Sequence, residues 1–115
     1  MKNTARIANV TPDFEAFFAR QREDYGQSLR RRIGEIVERW EQYTAKGRRA
    51  DALELLTRMA HSLAGSAGVF GFDEIGRAAR VLEHQLDALP AARAENEMLV
   101  EATLAALRAL AGTLH

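Results

Sequence analysis

Apolar residues recur along this chain in steps of three and four, the period of one buried helical face. From Asp24 to Ala45 they fall at Tyr25, Leu29, Ile33, Ile36, Val37, Trp40 and Tyr43. From Ala50 to Phe70 the stripe is Leu53, Leu56, Met59, Ala60, Leu63, Ala67 and Phe70. A third begins at Phe72-Asp73-Glu74, with Asp73 as the expected N-cap, and runs through Ile75, Ala78, Ala79, Leu82, Leu86 and Leu89. In the last, from Ala92 to Gly112, the residues expected to face inward are Met98, Leu99, Ala102, Ala105, Ala106, Ala109 and Leu110. Lys46-Gly47, Gly71 and Pro90 punctuate the pattern. Four helices of roughly 17 to 22 residues joined by short loops must be antiparallel neighbours. The pattern therefore predicts an all-α, up-down-up-down antiparallel four-helix bundle.

Residues 1–11 are polar and are expected to form a flexible N-terminus, leaving 12–115 as the bundle. Thr11-Pro12-Asp13 reads as a helix start: a hydroxyl cap, proline at the first position, an acid after it. Phe14, Phe17 and Phe18 follow at helical spacing. They predict a short N-terminal lid helix over one end of the bundle, either kinked at Gly26 or continuous with the helix that follows.

Composition narrows the function. The 115 residues carry equal numbers of basic and acidic side chains and no cysteine. One domain of this size buries a core without staples. Zero net charge argues against nucleic acid as a partner, and the lack of cysteine excludes disulfides, thiolate metal sites and a cysteine nucleophile. The first ten residues hold no apolar run of signal-peptide type, and nothing approaches the roughly 18 apolar residues of a membrane span. A cytoplasmic protein with no membrane partner is expected.

One segment breaks the helical rules. Gly65 and Gly68 lie inside the second long helix, where each glycine costs about 1 kcal/mol against alanine. At about 100° per residue, His61 points roughly 145° from the centre of the buried stripe, with Gly68 within about 20° of it and Gly65 within about 40°. The glycines either admit a closely packed helix or leave a groove in which a partner approaches the histidine. Their outward direction favours the groove.

The next helix adds a carboxylate. His61 precedes Gly71 by ten residues and Glu83 follows it by twelve. At 1.5 Å per residue both lie roughly 15 to 18 Å from the turn, at one height on neighbouring helices. Glu83 would then hold one ring nitrogen and leave the other as a free nucleophile. Taken alone, Glu83 reads better as a solvated charge in an i,i+3 pair with Arg80.

The stretch Ala60-His61-Ser62-Leu63-Ala64-Gly65-Ser66-Ala67-Gly68-Val69-Phe70-Gly71-Phe72, followed by Ala79-Arg80-Val81-Leu82-Glu83, resembles the histidine phosphotransfer (HPt) domains of two-component phosphorelays. It is most similar to the phosphotransfer domain of chemotaxis-type histidine kinases. The family motif reads His, any residue, apolar, Lys, Gly, Ser or Gly, Ala, then a glycine followed by an aromatic or apolar residue. The resemblance implies a four-helix bundle with His61 phosphorylated and Glu83 orienting its ring. Gly65, Gly68, Ala64, Arg58 and Arg80 are the expected docking surface. Ala64 stands where the family carries lysine, so no phosphate-neutralising lysine is carried over.

The expected function is that of a phosphorelay intermediate, exchanging a phosphoryl group between His61 and receiver-domain aspartates or a sensor histidine kinase. A monomer is expected. No nucleotide loop of the G-x-x-x-x-G-K-[ST] type occurs, so no ATP-dependent kinase activity and no cofactor is expected. A non-catalytic adaptor that holds a receiver domain through the same surface is the alternative. His84 and His115 form no i,i+4 pair with His61 or each other, and no metal site is expected.

Overall fold

The computed structural model describes residues 2–114, with side chains from Asp13 onward; His115 lies outside the described residues. The elements are α1 (Lys2–Ala45), α2 (Ala50–Val69), α3 (Asp73–Ala88), a 3₁₀ turn (Leu89–Ala91) and α4 (Arg93–Gly112). Each helix packs on the next and α4 closes on α1, a four-helix ring of antiparallel neighbours. Among the described residues no helix is long and apolar enough to cross a membrane.

The first three stripes pack as their periodicity predicts. Leu29, Ile33, Ile36, Trp40 and Tyr43 of α1 meet Leu56, Ala60, Leu63 and Ala67 of α2 and Ile75, Ala79, Leu82 and Leu86 of α3 in one core. Burying each large aliphatic side chain there contributes about 1.5–3 kcal/mol.

The face of α4 differs from the expected one. Val100, Leu104, Leu107 and Ala111 are buried, whereas Met98 and Leu99 are 74% and 50% exposed. Ala102, Ala105, Ala106 and Ala109 face solvent and Leu110 is half-buried. This helix is apolar on most sides, so two stripes fit its period. The one carrying three large branched residues removes more apolar area from water.

Of the two readings of the lid, the continuous one holds: helix α1 runs unbroken from Lys2 to Ala45, and the lid is its projecting part. The helix start expected at Thr11-Pro12-Asp13 lies inside it, and residues 2–11, expected to be flexible, are helical. The 44 residues of α1 span about 66 Å against about 30 Å for the 20-residue α2, and the molecule measures 65 × 24 × 20 Å. Pro12 is the eleventh residue of this helix; a proline so placed removes one backbone hydrogen bond and crowds the carbonyl four residues before it, at a cost of about 3 kcal/mol.

One turn fixes the hairpin of α2 and α3. Gly71 adopts φ +81°, a left-handed conformation that suits glycine, and the Phe72 and Gly71 amides return to the carbonyls of Ala67 and Gly68 at 2.9 and 3.1 Å. The N-cap of α3 is Phe72, not Asp73, and no side chain caps it. Asp73 and Glu74 instead occupy the first turn, where their charge favours the positive end of the helix dipole. Aromatic rings of α1 lie on this turn: Tyr25 stacks on Phe70 at 4.7 Å and Phe18 at 5.8 Å. Arg22 sits 4.3 Å from the Phe72 ring and donates to the Phe70 carbonyl.

Candidate functional site

The seam between α2 and α3 is built from small residues. Ala60, Ala64 and Ala67 of α2 and Gly76 and Ala79 of α3 are all buried. A Cβ on Gly76 would lie 3.4 Å from the Ala64 carbonyl and 3.5 Å from the Gly68 nitrogen. This close approach brings residues opposite one another into direct contact above the seam. Gly76, which sequence periodicity does not single out, is the packing glycine of the hairpin.

His61 and Glu83 meet there. The histidine side chain is 76% exposed and the carboxylate 22% exposed, and Nδ1 lies 2.8 Å from Oε2. Leu63, about 200° around α2 from His61, and Leu82, next to Glu83 on α3, are both in the core, which turns His61 outward and sets Glu83 on the flank of its helix. A carboxylate only accepts, so Nδ1 carries the proton and donates it to Glu83. In the neutral ring that arrangement turns the lone pair of Nε2 toward solvent.

The glycine strip is open. A Cβ on Gly65 or on Gly68 would meet nothing within 4 Å, so neither admits a neighbouring helix. Val69 is exposed further along α2, whereas Val81, about 200° around α3 from Glu83, stands on the other flank of that helix. Arg58 and Arg80 are both exposed, on α2 and α3, and neither takes part in an ion pair among the described residues. Ala64 does not belong to this open surface: it is only 6% exposed. The approach of Gly76 covers it, so its methyl group fills the seam rather than facing a partner.

A polar network on the other flank of α2 is absent from the sequence reading. Arg32 of α1 donates to Ser62 Oγ and Ser66 Oγ, both at 3.1 Å, and to the Tyr25 hydroxyl at 3.2 Å. Tyr25 and Ser66 are themselves hydrogen-bonded, and Ser66 donates to the Ser62 carbonyl. The i,i+4 spacing of Ser62 and Ser66 was its one visible signal; the rotation of α1 that brings Arg32 across is a property of the assembled core.

The site is thus one exposed imidazole held by a carboxylate on an open surface, with a strip of bare backbone beside it and an exposed arginine on each of the two helices. Among the described residues no three side chains of metal-ligating type cluster. A family model described as "Hpt domain" matches residues 15–114. Comparison with curated proteins and with solved structures finds no match.

Proposed function

Because the chain belongs to the Hpt domain family, whose members are phosphotransfer modules of phosphorelays rather than kinases, we propose that His61 is its phosphoryl carrier and exchanges with receiver-domain aspartates and a sensor histidine kinase. The observation that carries this reading is the bond from Nδ1 to Glu83, which leaves Nε2 free on an exposed surface.

In the accepting direction the Nε2 lone pair attacks the phosphorus of an aspartyl phosphate. The new N–P bond forms as the P–O bond to the carboxyl breaks, and the aspartate leaves as carboxylate with the electron pair. The ring gains positive charge in this step, and Glu83 opposite Nδ1 stabilises it. Phosphoryl transfer asks for in-line placement and charge stabilisation more than for further covalent chemistry, so an exposed, oriented imidazole suffices on this side. Gly65 and Gly68 let a partner's loop approach the histidine closely, Val69 gives that partner apolar contact, and Arg58 and Arg80 flank it. The bundle of residues 12–115 is the functional unit.

The test is incubation with phosphorylated receiver domains. Phosphate that is acid-labile and base-stable, and that maps to His61, is the expected product. Receiver binding without any phosphate on the chain would replace this reading with that of a receiver-holding adaptor.

A further inference from the structure

We infer that Arg58, together with the Ser62 hydroxyl, forms the anion-binding side of His61 and contacts the phosphoryl group carried on Nε2; this rests on the reading of His61 as the carrier. Glu83 takes Nδ1 on the α3 side of the ring. In a five-membered ring the exit directions of the two nitrogens diverge by well over a right angle. A phosphoryl group on Nε2 therefore projects away from α3.

The flanks of α2 are distinguishable. Ala64 and Ala67 lie on the side that meets Gly76 of α3. Ser62 and Ser66 lie on the side that meets Arg32 of α1. Relative to His61, Arg58 falls about 60° and Ser62 about 100° toward the α1 side, while residue 64 falls about 60° toward α3. Arg58 is also one turn from His61, and residues so spaced have Cβ atoms about 5–6 Å apart. Arg58, Ser62 and Arg32 line one groove between α1 and α2.

The chemistry of this flank suits a phosphoryl group. A guanidinium presents paired donors that match phosphate oxygens. Ser62 Oγ accepts from Arg32, which leaves its own proton to donate outward. Arg32 and Glu35 of α1 line this groove with Arg58, Glu54 is one turn from Arg58 on α2, and Glu83 and Arg80 of α3 lie on the other side of His61. Glu35 lies 3.8 Å from Arg31. Arg80, three residues before Glu83 on an antiparallel helix, is level with residue 64 and stands on the flank from which Nε2 points away.

The experiment charges His61 with phosphoramidate, in which the ring nitrogen attacks phosphorus and ammonia leaves, and follows the ³¹P shift of the phosphohistidine against pH. A guanidinium beside the phosphoryl oxygens favours the dianion, so its removal raises the titration midpoint. Arg58→Ala is expected to raise it by about half a pH unit, the size of one screened charge at contact distance, and Arg58→Lys to restore most of that. Arg77→Ala controls for net charge, because Arg77 lines a groove with Leu110 and Leu114 at the turn end of the bundle. An unmoved midpoint in Arg58→Ala, an equal rise in Arg77→Ala or a larger one in Arg80→Ala overturns the assignment while leaving His61 as carrier. Failure of the parent to take up phosphate on His61 overturns the carrier reading and this assignment with it.

Discussion

Glu83 acts on the ring through one hydrogen bond, and the size of that bond sets what its loss does. A hydrogen bond to a charged group is worth about 1.5–3 kcal/mol, less where water competes, and 1.36 kcal/mol is one decade in rate. Glu83→Ala is therefore expected to slow single-turnover transfer from a phosphorylated receiver by about tenfold without abolishing it, because neutral imidazole remains a nucleophile. Transfer at the parent rate would make Glu83 an ordinary surface charge. The pairing of His61 with Glu83 was legible in the sequence because their height above Gly71 depends only on the helical rise. Ala64 and Arg32 were not legible in the same way. The burial of Ala64 follows from how closely Gly76 approaches, and the reach of Arg32 follows from the rotation of α1. Both are set by the whole core rather than by one helix.

The helices α2 and α3 carry glycines with opposite duties, and substitutions separate them. Gly68 faces open space, so Gly68→Leu exchanges a poor helix former for a good one and is expected to raise stability by up to about 1 kcal/mol. The same side chain stands beside His61 and is expected to weaken receiver docking, which a binding titration reads directly. Gly76 faces the backbone of α2 across the seam. Gly76→Leu is expected to cost about 1–3 kcal/mol by overpacking, seen as a lower midpoint in urea, and to loosen the His61–Glu83 contact. Equal stability of the two variants would contradict the assignment of the seam. At this scale the periodicity located all four helices and the buried faces of the first three. It failed for α4, where alanines on several sides leave the wheel without a unique apolar face. It failed again at Thr11-Pro12-Asp13, where a local start signal lies inside a longer helix.

The bundle is closed at the end away from the Gly71 turn by a charged tie. Arg48, in the left-handed region at φ 54°, donates from Nε and Nη2 to the two carboxylate oxygens of Glu97 at 2.7 and 3.0 Å, joining the α1–α2 connection to α4. The Arg48 hydrogen bonds hold the Glu97 carboxyl below its ordinary value of 4.5. A carboxyl lowered in the folded state contributes stability that is present above 4.5 and is lost as pH falls through the folded value. Glu97→Gln is therefore expected to reduce stability at neutral pH and to flatten its fall below pH 4.5, measured by urea unfolding across pH; an unchanged acid limb would show that the pair is only a surface contact. None of this charge arrangement lies on the face that carries His61. The whole molecule is thus a rigid support presenting one imidazole, and the most direct measurement of that claim compares the parent chain with His61→Gln. Circular dichroism and unfolding are expected to be unchanged, because the side chain is exposed, while phosphate acceptance from a phosphorylated receiver is expected to disappear. Phosphate retained on the His61→Gln chain would contradict the assignment of His61 as the carrier, and unfolding of that variant would contradict its placement outside the core.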